Sequence, residues 1–272
     1  MSKLQILLTN DDGIRSPGLW AAAEALSELG YVTVVAPREQ SSGMGRSLPI
    51  SSDGIIREER LQIKGQEWRV YAVGGTPAQA VLHGILEVMP HKPDLVVSGI
   101  NYGENLGTGI TISGTVGAAM EAAALGYRAL AVSLETSPEH HFSYSREVDF
   151  SAAAHFTLLF ARLLVERPLP PDVDLLKIDV PDSATPKTAW QLTRLARQRY
   201  YDPVAPQRES WSIPAQVSYK EAAILEPEAS DSDVAVMRQK RLVSVTPISL
   251  DMTSRTDFAT IEAMLFGKKD RQ

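Results

Sequence analysis

The sequence predicts an α/β fold, with a mostly parallel sheet carrying helices on both faces and a β-rich extension closing the chain. Three observations predict it. Short apolar runs alternate with segments of helical period through the first 180 residues. The early apolar runs end in polar, glycine-containing loops. Past about residue 190 the helical period gives way to strand-like stretches joined by charged and proline-containing segments.

The elements follow in order. Leu4–Thr9 reads as a buried strand running into the turn Asn10-Asp11-Asp12-Gly13. Ser16-Pro17 opens a helix, with Ser as the cap and Pro at the first helical position. Trp20, Ala23, Leu26 and Leu29 share its apolar face, and Gly30 is expected to end it. Val32–Pro37 is a second strand, followed by a polar loop from Arg38 to Ser47. Residues 48–73 have the looser alternation of a β-hairpin. Thr76-Pro77 repeats the cap-plus-proline start, and Ala78–Val88 continues as helix. Asp94–Ser98 is a third strand, leading into a Gly-rich loop from Gly99 to Gly114. Thr115–Leu125 is a helix closed by Gly126, Arg128–Leu134 a fourth strand, and Val148–Arg167 a long amphipathic helix. Leu175–Val180, Trp190–Arg194, Trp211–Tyr219 and Arg241–Thr246 read as strands, and Phe258–Phe266 as a short closing helix. The whole reads as one domain, residues 1–272, with a core of about 1–189 and an extension of about 190–272. Right-handed crossovers bring every strand-to-helix loop to one edge of the sheet.

Composition narrows the function. Lys and Arg number 27 against 33 Asp and Glu, a net charge of −6. Broad coating of a nucleic-acid polymer is therefore not expected. Cysteine is absent, which excludes disulfides, Cys-ligated zinc, iron–sulfur clusters and a thiol nucleophile, and favours a reducing, cytoplasmic setting. The opening apolar stretch is too short for a signal peptide, and Gly117–Leu134 is broken by Glu121 and Arg128, so no membrane span or membrane partner is expected.

Three polar clusters follow strands: Asn10-Asp11-Asp12-Gly13, Gln40-Ser41-Ser42-Gly43 and Ser98-Gly99-Ile100-Asn101. The bland reading of the first is a turn with capping carboxylates. Its convergence with the other two on one edge favours a ligand site instead. Adjacent carboxylates repel, and a divalent cation relieves that repulsion. Oxygen-only donors favour Mg²⁺, Mn²⁺ or Ca²⁺ over zinc. Ser113-Gly114-Thr115 then opens a helix with small residues, whose first-turn amides suit a phosphate. Gly74-Gly75-Thr76-Pro77 is similar, but its Pro lacks an amide donor. No P-loop motif occurs, and no G-x-G-x-x-G follows the first strand. The histidines form no zinc-like pair. His140-His141 is expected in a solvated loop, and His83 and His155 as packing or surface residues. Together these features suggest metal-assisted hydrolysis of a phosphate ester, with Asp11 or Asp12 taking a proton from a bound water. Ser42 as a covalent nucleophile lacks a visible partner base.

The motifs also occur in a recognisable order. Thr9-Asn10-Asp11-Asp12-Gly13 is followed by Pro17-Gly18, Ala36-Pro37 with Ser42 and Ser47, and Gly75-Thr76-Pro77. Then come Ser98-Gly99-Ile100-Asn101, Gly103, Asn105-Leu106-Gly107 and Ser113-Gly114-Thr115-Val116. Asp179-Val180-Pro181, Thr193-Arg194 and Val243-Ser244-Val245-Thr246-Pro247 continue the series. This combination resembles SurE, the survival protein E family of 5′-nucleotidases, most strongly over about residues 4–134. The resemblance implies a Rossmann-like core and a divalent-metal-dependent phosphatase acting on nucleoside 5′-monophosphates, with 3′-monophosphates as further substrates. It implies Asp11, Asp12, Ser42 and Asn101 as ligands of one Mg²⁺ or Mn²⁺ per subunit, a site Ca²⁺ can also occupy. It implies homodimers or homotetramers in which the C-terminal β arm and helix swap between subunits. The candidate substrate- and phosphate-binding residues are Asn10, Gly43, Asn105, Ser113, Gly114 and Thr115.

The chain departs from the family pattern at Arg38, Gln79, Gly109 and Ile112, and at Lys177 and Asp179, where Asn is usual. None of these is a proposed ligand, and several are expected at the substrate entrance. Two other readings compete. A phospho-acceptor regulatory module also holds Mg²⁺ between acidic residues, but needs an Asp ending the third strand and a Lys ending a later one. A catalytically weakened nucleotide-binding relative would bind without turnover.

Overall fold

The computed structural model describes residues 3–141, 143–222 and 229–267. The first half builds β1 (Leu4–Thr9), α1 (Pro17–Leu26), β2 (Gly30–Pro37), β3 (Ile56–Ile63), β4 (Gln66–Val73), α2 (Pro77–His83), β5 (Leu95–Tyr102), α3 (Gly114–Ala124) and β6 (Ala129–Leu134). The second half adds α4 (Ser151–Glu166), β7 (Leu175–Val180), β8 (Trp190–Leu192), β9 (Tyr201–Val204), β10 (Ser218–Glu221), α5 (Asp233–Arg238), β11 (Val243–Ile248) and α6 (Phe258–Phe266).

Nine strands form one sheet in the order β3-β4-β2-β1-β5-β6-β7-β11-β8. The six from β4 to β7 in that order run parallel. β3 is antiparallel to β4, and β11 is antiparallel to β7. This is the predicted mostly parallel α/β sheet.

Both faces are covered, which explains the unbroken apolar runs. Ile6, Leu8, Val34, Val97 and Val132 pack against α1 and α4 on one face. The alternate residues Leu7, Val35, Val96 and Ala131 pack against α2 and α3 on the other. All nine are fully buried, so truncating a Leu among them costs about 2–5 kcal/mol. The neighbours of β1 are β2 on one side and β5 on the other. The chain order therefore reverses at β1, and a crevice opens beyond the carboxyl ends of β1 and β5.

Boundaries differ from expectation where close packing decides them. Gly30 does not end α1. It begins β2, where an added Cβ would stand 2.3 Å from the Leu4 carbonyl oxygen, so the strand pairing itself demands glycine. β5 runs on through Ser98-Gly99-Ile100-Asn101, and its register against β6 slips between Ser98 and Asn101. Such a bulge re-aims the side chains beyond it. The β3–β4 hairpin turns at Lys64 and Gly65, both with positive φ.

The extension differs most. β8 and β11 both join the main sheet, so the expected division near residue 190 falls within it. Trp211–Tyr219 forms strand only at its end, as β10, which pairs with an unforeseen β9 in a separate two-stranded sheet. α5 is also unforeseen. Ser232 caps it, its hydroxyl accepting from the Ala235 amide at 3.1 Å. Among the described residues no helix is long and apolar enough to cross a membrane.

Candidate active site

The three polar clusters meet at the β1/β5 crevice. A cavity of about 530 Å³ opens there, lined by Asp11, Ser42, Gly43, Asn101, Asn105 and Ser113 among others. Six of the ten predicted site residues therefore face one space, although they span more than 100 positions of sequence.

Asp11 and Asp12 are buried, at 4% and 2% exposure. Asp11 receives the Thr115 hydroxyl and backbone amides from Gly114 and Thr115, at the start of α3. Burial still raises its pKa, against the lowering by those donors. The Asp12 carboxylate accepts from the Tyr102 amide at 3.1 Å and, more weakly, from Gln40 Nε2 at 3.5 Å. Burial, with the charge of Asp11 added, pushes Asp12 well above the usual carboxylate range. Among the described residues no basic side chain pairs with either.

Gln40 joins the clusters. Its Nε2 also reaches Ser42 Oγ at 3.1 Å and the His141 carbonyl at 2.6 Å. The Asn101 amide nitrogen faces the carbonyls of Gly103 and Tyr102 at 2.6 and 3.2 Å. Carbonyls only accept, so the nitrogen is the end held there and Oδ1 is the end left for a ligand.

The donor set fits a hard divalent cation: two carboxylates, a hydroxyl and an amide oxygen. No group of three His, Asp or Glu side chains occurs at any metal-like spacing among the described residues, so Ser42 and Asn101 would have to complete the set. The charge at this rim is unbalanced. Two adjacent buried carboxylates with raised pKa values are what a cation would return to the ionised state.

The remaining predicted residues do other work. Asn10 is fully buried, and both ends of its amide close the turn onto Gly13 at 3.1 and 3.2 Å. The first-turn amides of α3, expected to meet a phosphate, meet Asp11. Val116 N is capped by Ser113 Oγ at 3.1 Å. Gly114 is required by close approach, since an added Cβ would lie 2.7 Å from Asp11 Cβ. Thr115, fully buried, sits behind Asp11. These three residues thus shape the carboxylate end and do not line the cavity. Of the departures from the family pattern, Gly109 and Ile112 line the cavity. Gln79 completes the capping box of α2, and Arg38 pairs with Asp53 at 2.5 Å.

The opposite wall was missed in the sequence. Glu104, His141, Arg199, Tyr200, Tyr201 and Tyr219 line it. His141 is not solvated: it is 8% exposed, with its ring 2.9 Å from the Tyr219 hydroxyl and stacked on that ring. Tyr201 and Tyr219 pack with centroids 5.1 Å apart. Glu104 accepts the Tyr201 hydroxyl at 2.5 Å, and burial pushes its pKa up to about 7. The Tyr200-Tyr201 pair flanked by charge was the one available signal.

Comparison with known proteins agrees with this geometry. The family model for survival protein SurE matches residues 6–202. The chain is 42% identical over 265 residues to the 5′-nucleotidase SurE of Thermococcus gammatolerans, with 97% of each chain covered. It is also 42% identical to the 5′-nucleotidase SurE of Archaeoglobus fulgidus, covering 97% of this chain and 98% of that one. The crystal structure of the SurE protein from Aquifex aeolicus matches with a TM-score of 0.72 at 30% identity, over 96% of this chain and 99% of the other. With the family's motif residues gathered around one crevice and the likeness running almost end to end, this chain belongs to the SurE family.

Proposed function

We propose that the chain is a 5′-nucleotidase that hydrolyses nucleoside 5′-monophosphates to nucleoside and phosphate in a divalent-metal-dependent reaction. The observation that carries this reading is the single cavity shared by Asp11, Ser42, Asn101, Asn105 and Ser113. Asp11, Asp12, Ser42 and Asn101 would hold Mg²⁺ or Mn²⁺, and Ca²⁺ as an alternative. When bound, the cation supplies charge neutralisation for the phosphoryl oxygens and lowers the pKa of water. Asn105, Ser113 and Gly43 flank the phosphate. Asp11 or Asp12 would take the proton of the attacking water. The aromatic wall of Tyr200, Tyr201 and Tyr219 offers apolar faces to the sugar and base, which suits 3′-monophosphates as well, turned in the same cavity.

We extend the proposal to a homodimer or homotetramer built by exchange of the C-terminal arm. α6 has no buried residue, and Phe258, Leu265 and Phe266 are each more than 60% exposed. An apolar helix of nine residues is not stable without a surface to cover it.

Phosphate release from AMP, GMP, CMP and UMP, with EDTA and then with added Mg²⁺ or Mn²⁺, tests the main reading. Activity silenced by EDTA and restored by metal supports it. Undiminished release in EDTA overturns the metal role. The phospho-acceptor reading has little support in the geometry: the lysine nearest that role, Lys177 on β7, is paired with Asp179 and Asp233. Stable labelling of the protein by a small phosphodonor, without free phosphate from AMP, would favour it instead.

A further inference from the structure

Behind the cavity lies a fully buried charged cluster that the proposed chemistry does not use. Lys177 on β7, Asp179 on β7 and Asp233 on α5 are each 0% exposed. Lys177 Nζ donates to the Asp179 carboxylate and lies 3.3 Å from Asp233 Oδ2. Its third donor goes to the carbonyl of Asn105 at 2.8 Å. The Asn105 amide in turn donates to Asp179 Oδ1 at 2.8 Å. Both peptide groups flanking the Asn105 side chain are therefore gripped by the same cluster.

The grip extends along the loop. Asp233 Oδ2 accepts the Gly107 amide at 3.0 Å, and Oδ1 accepts the Ala196 amide at 2.9 Å. Asn105 Nδ2 donates one of its two hydrogens to Ser133 Oγ at 2.8 Å, which leaves the second N–H as the donor for a phosphate in the cavity that Asn105 lines. Burying three charges costs several kcal/mol per ion before pairing, so a packed apolar trio would hold the fold more cheaply. What an apolar trio could not do is hydrogen-bond a loop backbone that has no strand or helix to satisfy it.

From this geometry we infer that Lys177 is a positioning residue of the phosphatase: together with Asp179 and Asp233 it fixes the Asn105 loop so that the Asn105 side chain is pre-set against the substrate phosphate. The inference rests on the phosphate-binding role proposed for Asn105. A one-ångström misplacement of a positioning group costs up to about a hundredfold in rate. The cation holds Asn105 by its carbonyl and the carboxylate by its amide, so neither partner alone fixes both peptide planes.

The test is a double-mutant cycle. Lys177→Met leaves two buried carboxylates without a cation and can unfold the chain. The working variant is therefore Lys177→Asn with Asp179→Asn, which removes both charges and keeps an acceptor for the Asn105 amide. Folding is checked by circular dichroism and thermal melting. Expected for this variant is a ten- to fiftyfold fall in kcat for AMP, with KM changed less than threefold. Asn105→Ala lowers kcat in the parent, but adds less than threefold in the variant, because the two act through one contact. Equal factors for Asn105→Ala in both backgrounds, or parent-like kcat in the variant, overturn the inference while leaving the site reading intact. Parent-like kinetics of Asn105→Ala itself overturns the phosphate role of Asn105, and the inference with it. Should the double variant not fold, Asp233→Asn, which keeps one acceptor for the Ala196 amide and gives up the one that holds Gly107, is put through the same cycle with the same outcomes.

Discussion

Two pairs of buried aspartates among the described residues make a contrast: one shares a cation and the other does not. Asp179 and Asp233 share Lys177. Asp11 and Asp12 have backbone amides, a hydroxyl and a weak glutamine contact, but no basic side chain among the described residues. Although burial pulls the Lys177 pKa down, the two carboxylates hold it above its usual value. No such charge answers Asp12, which burial and Asp11 both push upward. A cluster whose carboxylates share a cation of their own is structural or positioning. A cluster that leaves its charge open beside a cavity awaits a ligand.

The largest effect that would break this contrast is on turnover. Asp11→Asn or Asp12→Asn should lower phosphate release from AMP by three orders of magnitude or more, about 4 kcal/mol on the barrier. The melting temperature should hold or rise, because one member of a like-charged buried pair is neutralised. Steady-state assays beside thermal melts check both halves. Parent-like activity in both variants removes the site.

The opposite cluster should respond in the opposite way. Lys177→Met leaves Asp179 and Asp233 buried and unpaired, which costs about 3–5 kcal/mol. A shift in the urea midpoint at constant slope measures it. A stable Lys177→Met would mean that the carboxylates already share a proton, and the contrast between the two clusters would vanish.

The two clusters were not equally legible in the sequence. The carboxylate rim could be read because its residues sit at or shortly past strand ends, and the topology of α/β sheets puts such ends on one edge. Asp11, Ser42 and Asn101 came together for that reason. Asn10 and Thr115 were misplaced because both side chains can turn back onto neighbouring groups, and period alone does not say which way. The Lys177 cluster was hidden. Lys177 and Asp179 alternate on β7 with an apolar Ile178 between them, a pattern that reads equally as a solvated face. The Asn105 loop and Asp233 of α5 meet them there, and α5 went unread. The aromatic wall was hidden for a related reason: β9 and β10 are four residues each and pair across a long sequence gap. Nothing local specifies that pairing.

Glu104 sharpens the comparison as an intermediate case, a buried carboxyl with a hydroxyl partner and no cation. Burial holds it at about 7 against an ordinary 4.5. The folded chain therefore keeps a proton that the unfolded chain releases. Its contribution to stability is intact below about 4.5 and is lost as pH rises to about 7, a total of about 3 kcal/mol. Glu104→Gln cannot ionise and still accepts the Tyr201 hydroxyl. Its stability relative to the parent should climb by about that amount between pH 4.5 and 8, read from urea unfolding at each pH. A flat difference would mean that Glu104 is solvated when charged.

The smallest effect bears most directly on what the open cluster awaits. The raised pKa values of Asp11 and Asp12 carry the same sign as that of Glu104. Without a bound cation their contribution is full below the ordinary carboxylate range and declines as pH rises through it. A divalent cation reverses this, since it binds only the ionised pair. At pH 7.5, Mg²⁺ or Mn²⁺ at a hundredfold excess over Kd should stabilise the parent by about 2.7 kcal/mol. The gain should shrink as pH falls, because protons then compete for the same oxygens. Asp11→Asn and Asp12→Asn should lose most of it. A variant of the other cluster, the Lys177→Asn and Asp179→Asn pair, should keep it in full, because its charges never faced the cavity. Titration of the melting temperature with metal, across pH and in these three backgrounds, separates a cation held by the open pair from one bound loosely to an acidic surface. In the second case all the backgrounds would respond alike.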